Sequence, residues 1–485
     1  MAIQIHQEKL NRQIEGINKW RMSEAYGAPS NGCGTLWWVT GMGKTFSACI
    51  IGNKLFEKNS AASIVVIVPG AELEKQWRAE AKNFLGAENF KKVEIFTIDK
   101  IVENKYRIEC TLLILDEVHE YLTPERIKVV DGTYITARFK LGLTATWQDK
   151  QGRQQLIEKY IPVVDRIDEI EAEEKGFISK SIEYNIGVRL TSSELDDYKT
   201  HTDIINKHMN KFGKAQPLKV ASLVLCGDTK NKGYAYACAI AQSNGWKQSM
   251  DLSIQSNQEI YDLWNPKKII GYAKQLMDSV RARKNILYNA QNKLKVAKEL
   301  FFKYDKLKTI FFSQSTHFAD QLAYIINEQQ KHLTGNDTKI CISYHSKIET
   351  QIRFNVDKGK EQKFGATKLK REAIEGIKSG KYRGISTASS LDRGFDVHDI
   401  RLGITTSGTQ NPTQYTQRKG RTIRVESNNP DIIKLVINVY VIATKDEEWL
   451  RNRQKKVKTV VYWCDSVDDV NYIPQSDETF NLNEF

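Results

Sequence analysis

The sequence predicts an α/β fold, with two parallel-sheet units in tandem and a mostly helical insertion between them. Three observations carry that expectation. Two stretches alternate short runs of Val, Ile, Leu and Phe with helical segments, the pattern of strands buried on both faces beneath crossover helices. The stretch between them has few strand signals and a helical apolar period. The chain of 485 residues is also long enough for about three domains of ordinary size, or two with insertions.

Taken in order, the first unit spans 1–182. Its strands are read at TLWWVT (35–40), ASIVVIVP (62–69), VEIFTI (93–98), TLLILDE (111–117) and FKLGLTAT (139–146). A helix over Glu72–Phe84 sets Leu73, Trp77 and Ala81 at helical spacing, which puts Trp77 in the core. The segment 183–300 is linker and helical insertion, with Leu287, Ala290, Leu294, Ala297 and Phe301 on one helical face. It carries a basic run of Arg281, Arg283, Lys284, Lys293, Lys295 and Lys298. The second unit spans 301–446, with strands at KTIFFS (308–313), KICISY (339–344), YRGIST (382–387), RLGITTS (401–407) and KLVINVYVIAT (434–444). Helices are expected over Phe318–Gln329 and Lys368–Lys378. The tail 447–485 is basic (Arg451, Arg453, Lys455, Lys456, Lys458) and then acidic, and no element is assigned to it.

Composition narrows the function. Lys and Arg number 72 against 59 Asp and Glu, a net charge of +13. That excess favours a polyanion, either nucleic acid or an anionic membrane surface. No apolar run approaches the ~18 residues of a membrane span. The polar start MAIQIHQEKLNRQIEG lacks the apolar centre of a secretion signal. Cysteines at 33, 49, 110, 226, 238, 341 and 464 are scattered and form no CxxC pair, which is reduced, cytosolic usage. His201 and His208 have no third metal ligand in evident reach. The expected location is the cytoplasm of a bacterium or a phage-infected cell, in association with the nucleoid.

The chemistry begins at TLWWVT-GMGKT-FSACII, a strand, a glycine turn and a helix start. Gly41 and Gly43 let the backbone turn so that its N–H groups face an anion at the helix N-terminus. Lys44 would reach the β- and γ-phosphates and the Thr45 hydroxyl would hold Mg²⁺. Trp38 stands where the usual first glycine would be, six residues before the lysine. Farther on, LLILDEVH ends a strand in Asp116 and Glu117 at the edge where open α/β sheets place ligands. Asp116 can bind Mg²⁺ and Glu117 can polarise the attacking water. In QYTQRKGRTIR (414–424), Arg418, Arg421 and Arg424 are three residues apart and share one helical face. An arginine finger of that kind is worth about 10³–10⁵ in phosphoryl-transfer rate.

At this point the chain resembles a superfamily 2 helicase or translocase. TGMGKT looks like motif I, IVPGAELEKQWRAE (67–80) like motif Ia, LDEVH like a DExH-type (DEAH-box) motif II and LTAT (143–146) like motif III. TIFFSQS (309–315) resembles motif IV, LDRGFDV (391–397) motif V and QRKGRTIR motif VI, all in the family's order. Pro69, Leu73, Gln76, Trp77 and Glu80, with LTAT rather than SAT, are similar to the DNA repair, phage recombination (UvsW-like) and restriction-motor branch. The sequence departs from that pattern at Trp38, and again at Thr146-Trp147-Gln148, where relatives read TATPxR.

The resemblance implies two RecA-like domains with ATP and Mg²⁺ between them. Glu117, Arg421 and Arg424 would be catalytic. Gly41, Gly43, Lys44, Thr45, Gln13, Gly394, Asp396 and Gln417 would bind ATP, and Gln13 would read the adenine. Thr45 and Asp116 would hold the metal, and Thr144 and Thr146 would couple hydrolysis to movement. By motif position alone, Gly70, Thr97, Ser313 and Thr387 would touch nucleic acid. The implied activity is that of a DNA helicase or translocase in recombination, repair or replication. Its partner would be single-stranded, duplex or branched DNA, with RNA left open, and no membrane. The alternatives are a restriction or defence motor subunit, an RNA helicase and an ATP-gated nucleic-acid scaffold.

Overall fold

The computed structural model describes residues 7–147, 152–225, 232–246, 255–355, 360–388, 397, 399–408, 412–426, 432–455 and 461–474. The chain forms two compact units. One comprises Met1–Gly187, Ala297–Tyr440 and Glu447–Phe485, and the other Val188–Val296 with Val441–Asp446.

The larger unit holds two parallel sheets. The first is built of β1 (Cys33–Trp38), β2 (Ile64–Val68), β3 (Val93–Thr97), β4 (Ile108–Asp116), β5 (Ile135–Thr144) and β6 (Val163–Ile167), in the order β3-β2-β4-β5-β1-β6. Every residue of β2 is buried, as its continuous Val/Ile run requires of a strand covered on both faces. The flanking helices are α1 (Gln7–Met22), α2 (Lys44–Lys58), α3 (Ala71–Phe90), α4 (Ile98–Asn104), α5 (Pro124–Val130), α6 (Gln155–Glu158) and α7 (Glu169–Glu174). The expected helix at Glu72–Phe84 lies inside α3, and Leu73, Trp77 and Ala81 are all buried.

The second sheet contains β7 (Ser181–Val188), β8 (Thr309–Ser313), β9 (Cys341–His345), β12 (Gly384–Ala388), β13 (Leu402–Thr405), β14 (Lys434–Val441) and β15 (Val461–Cys464). Their order is β15-β7-β14-β13-β8-β12-β9, and β10 (Gln351–Asn355) with β11 (Lys360–Phe364) forms a separate antiparallel hairpin. Five strands were not expected: β6 in the first sheet, the hairpin strands β10 and β11, and β7 and β15 in the second sheet. Ser181–Val188 opens the segment read as linker from 183, yet it pairs into the second sheet, and β15 comes from the unassigned tail. Both join through partners remote in sequence.

The other unit is helical, with α8 (Ser192–Met209), α9 (Pro217–Leu225), α10 (Lys232–Ser243), α11 (Gln255–Trp264), α12 (Pro266–Tyr288) and the start of α13 (Gln291–Lys303). Its core gathers Ile205, Phe212, Ala221, Val224, Ile269, Ala273 and Leu276. The face from Leu287 to Phe301 is split between α12 and α13, because Asn289 caps the first helix. Lys293 is fully buried and pairs with Asp446 at 2.5 Å. In the larger unit, α14 (Thr316–Thr334), α15 (Ala366–Ser379), α16 (Pro412–Thr422) and α17 (Lys445–Gln454, which begins within the helical unit) complete the chain.

Candidate active site

The site starts at the C-terminal edge of β1. Gly41 and Gly43 hold φ of 93° and 83°, a left-handed backbone that disfavours any residue with a Cβ. No side chain caps the N-terminus of α2, so its first amides are left facing the loop as an anion seat. Lys44 Nζ donates to Trp38 O at 3.0 Å. Burial pushes this ammonium down; Glu117 and Asp116 push it back up, while Arg421 and Arg424 repel it. Five of the residues expected around the phosphates thus share one electrostatic environment, drawn from β1–α2, the end of β4 and α16 with the residues after it.

Asp116 closes β4. Its Oδ2 accepts the indole N–H of Trp77 at 2.7 Å and its Oδ1 the backbone N–H of Glu117 at 3.0 Å. Burial first, and then the neighbouring Glu117, drive its carboxyl well above the usual range. A divalent cation would reverse that, since a metal favours the ionised form. Glu117 itself sits at φ 50°, ψ 58°, an unusual left-handed geometry for a residue with a side chain. Its Oε2 is buried, lies 3.4 Å from His119 Nδ1 and accepts no hydrogen bond. An acceptor held dry beside a phosphate loop suits a group that must take a proton from water. The donor set as a whole fits ATP with Mg²⁺: an uncapped helix start, a lysine, a hydroxyl at Thr45 and two carboxylates.

Thr144 and Thr146 stand at the end of β5. His119 Nδ1 is 3.1 Å from Thr144 Oγ1 and 3.3 Å from Thr146 Oγ1, and Thr144 Oγ1 donates to Thr146 O at 2.6 Å. His119 therefore joins the Asp-Glu strand end to both threonines. Sequence reasoning passed over it, although it is the last letter of LDEVH. Glu80, read in sequence only as part of the branch pattern, was given no role at the site. It accepts from Gln76 at 2.6 Å, is held up by burial, and faces both the Thr45 hydroxyl and the charge of Arg424. Burial lowers the Arg424 guanidinium to about 10, with Glu80 opposing.

On α1, Gln13 Nε2 donates to Met42 O in the loop at 2.7 Å. Its neighbour Arg12 turns away, to Asp165 Oδ2 at 2.8 Å and Glu171 at 2.9 Å. Asp165 also accepts the indole N–H of Trp38 at 2.7 Å. Trp38 is fully buried, with Gly16 of α1 against its ring, so the bulky residue before the loop is a packing anchor for α1. On α16, Gln417 and Arg421 are buried, and Arg418 donates to Ser407 O at 2.7 Å and Ser313 O at 3.1 Å. Arg418 thus braces its own sheet. Gly394, Asp396 and Gln148 lie outside the described residues.

Of the four positions expected to meet nucleic acid, Gly70 and Thr97 start α3 and α4 at the ends of β2 and β3, on the half of the sheet away from β6. Ser313 and Thr387 are each 1% exposed, and the Ser313 hydroxyl bonds to the carbonyls of Ser315 and Thr387. Their side chains face inward, as expected of adjacent strands covered by helices on both faces. No helix among the described residues is long and apolar enough to cross a membrane.

Comparison with known proteins now bears on this geometry. Residues 6–111 match the family described as type III restriction enzyme, res subunit, and residues 292–426 match the helicase conserved C-terminal domain. No curated protein matches the chain in sequence. Among solved structures, S. cerevisiae Dbp5, in a variant bound to RNA and ADP BeF3, is 12% identical with a TM-score of 0.54 over 94% of this chain and 90% of that one. The Pyrococcus furiosus Hef helicase domain is 13% identical with a TM-score of 0.48, over 91% and 97%. The Dbp5 likeness shows the fold, and the two family matches fall on the phosphate loop and on the arginine helix. The chain belongs to superfamily 2 of the helicases and translocases, ATPases built on two RecA-like domains.

Proposed function

We propose that this chain is an ATP-dependent DNA helicase or translocase that remodels duplex or branched DNA in recombination, repair or replication. The observation that carries it is the environment of Lys44, where Asp116 and Glu117 meet Arg421 and Arg424. The triphosphate lies at the start of α2, with its β- and γ-phosphates on Lys44 and on the amides after Gly41 and Gly43. Thr45 and Asp116 would hold Mg²⁺, which would supply charge neutralisation at the phosphates. Glu117 accepts a proton from the attacking water. Arg421 and Arg424 stabilise charge as the γ-phosphate departs. Gln13 and Gln417 complete the nucleotide's surroundings, and Gly394 and Asp396 are assigned to ATP by motif position alone. His119, through Thr144 and Thr146, carries the change at Glu117 to the end of β5.

DNA is favoured over RNA by the motif around Gln76, Trp77 and Glu80. The basic insertion would grip phosphates, so binding is sequence-tolerant and salt-sensitive. The match of residues 6–111 to a restriction subunit supports a second reading, a motor whose nuclease is another chain. ATPase rates with single-stranded, duplex, forked and four-way DNA, and with RNA, test the proposal. Stimulation by DNA well above RNA is expected, and a preference for branched DNA would separate fork repair from a restriction motor. Stronger stimulation by RNA would sink the DNA assignment. Glu117→Gln should lower kcat by about 10²–10⁴ with ATP binding retained; a variant that hydrolyses at the parent rate contradicts the site.

A further inference from the structure

A short strap, residues 177–180, carries the chain from α7 into β7 and touches the candidate site at both of its sides. On one side stands the phosphate loop. Lys9 Nζ donates to Gly41 O and to Phe177 O, each at 2.8 Å, so one ammonium pins the loop to the strap. A Cβ at Gly41 would come within 3.3 Å of Ile178 Cγ2, which places strap and loop in direct contact. On the other side stands the end of the arginine helix. The Ser179 N–H donates to Ile423 O at 3.0 Å and the Ser179 hydroxyl to Arg424 O at 3.2 Å.

Phe177, Ile178 and Ser179 of the strap are buried, while the Lys9 bond to Gly41 lies at the surface. Ser179 is 1% exposed, and Ile178 and Ile423 beside it are equally dry. The carbonyls after Thr422 lie beyond the last turn of α16 and have no helical N–H to meet them. Ser179 supplies two donors for them, and an alanine there would leave Arg424 O without the hydroxyl. Lys9 is unusual in a different way. Among the described residues no carboxylate pairs with it, and burial lowers its ammonium to about 8. Two carbonyl groups hold it in place of a counter-charge, so its position is set by the backbone it fastens.

We propose that Lys9 and Ser179 are positioning residues for ATP hydrolysis, Lys9 fixing the strap to the phosphate loop and Ser179 fixing the same strap to the backbone of Arg424. The inference rests on reading Lys44 to Arg424 as the ATP site. A shift of about 1 Å in a reacting group can cost on the order of 10² in rate, so a tether of two hydrogen bonds matters.

The test measures steady-state ATP hydrolysis and binding of a fluorescent ADP by the full chain in Ser179→Ala, Ser179→Thr, Lys9→Met and Lys9→Arg, with Arg424→Ala as reference. Ser179→Ala and Lys9→Met should each lose about 10- to 100-fold in kcat, with KM and ADP affinity within about threefold of the parent. Ser179→Thr and Lys9→Arg should recover most of the rate. A kcat within twofold of the parent for both Ala and Met variants overturns the proposal, as does failure of the conservative variants to rescue. Loss of ADP affinity in Lys9→Met would put Lys9 on the nucleotide itself and overturn its positioning role. Should Ser179→Ala not fold, the Lys9 pair carries the same test. An Arg424→Ala chain that hydrolyses at full rate would instead defeat the ATP-site reading, a result distinct from the others.

Discussion

Asp165 gathers donors from three side chains: Arg12 at 2.8 Å, Lys19 at 2.8 Å and the Trp38 indole at 2.7 Å. Burial pushes its carboxyl up, but those hydrogen bonds outweigh burial and leave it below the ordinary range. A folded-state value lowered in this way adds stability above the unfolded pKa of about 3.9, and that stability is lost as pH falls through the folded value. Urea midpoints from pH 7 down to pH 3 should therefore converge for the parent and Asp165→Asn, with the gap widest at neutral pH. A constant gap would refute the linkage. Arg12→Ala removes one partner of a buried pair and should cost about 3 kcal/mol, toward the low end because Lys19 and Trp38 remain. Chemical denaturation at pH 7 measures it.

At the scale of elements, α16 is seated by a buried polar cluster. Glu183 of β7 is fully buried and accepts from the Tyr415 hydroxyl at 2.6 Å, Asn438 at 2.8 Å and Gln454 at 2.7 Å. Lys419, between the arginines, pairs with Glu169 at 2.5 Å and lies 3.5 Å from Glu183. Glu183→Ala should destabilise by about 3–5 kcal/mol, because a lysine, a tyrosine and two amides lose a shared acceptor. A loss below about 1 kcal/mol in urea unfolding would show that the cluster relaxes around the gap. In the helical unit, the capping box of Thr191 and Glu194 starts α8, and Glu194 also accepts the Gln291 N–H at 2.9 Å. Thr191→Ala should cost about 1 kcal/mol and Glu194→Ala more, since two helix starts depend on it. Hydrogen exchange in α8 and α13 distinguishes the two.

How far these elements could be read in advance follows from where their partners lie. The strands of the first sheet that surround the loop declare themselves by local apolar runs. Lys44, Thr45, Asp116 and Glu117 sit at the ends of such runs, so their meeting at one sheet edge was legible. β7 was passed over although SIEYNIGV alternates polar and apolar residues at strand period; what the local pattern does not show is the burial of its polar face, conferred by Asn438 and other residues some 255 positions away. Trp77 read correctly as core, yet its hydrogen bond to Asp116 depends on how α3 lies over β4. Trp38 looked like a flaw in the loop until Asp165 and Gly16 appeared beside it.

For the whole molecule, charge is unevenly shared. The helical unit with its closing segment carries 18 Lys and Arg against 10 Asp and Glu, so most of the net +13 resides there. Arg281 and Lys284 are exposed on α12. If that face holds phosphates, Arg281→Glu with Lys284→Glu should weaken DNA binding about tenfold near 0.1 M salt. It should also reduce the slope of log K against log salt by about 2. An unchanged slope would move the strand elsewhere.

The closing of the helical unit by Val441–Asp446 has a consequence for how the protein is born. Lys293 emerges from the ribosome 153 residues before Asp446, its buried partner. β7 emerges earlier still, and both neighbours, β14 and β15, come from the far end of the chain. A nascent polypeptide ending at Tyr440 would hold Lys293 in its helical unit without Asp446, and would leave an open strand edge at β7. Such intermediates are slow to complete and prone to pair with the wrong chain. Synthesis of this motor should therefore be sensitive to pausing after residue 300 and dependent on chaperones that shield β7 until the last strands arrive.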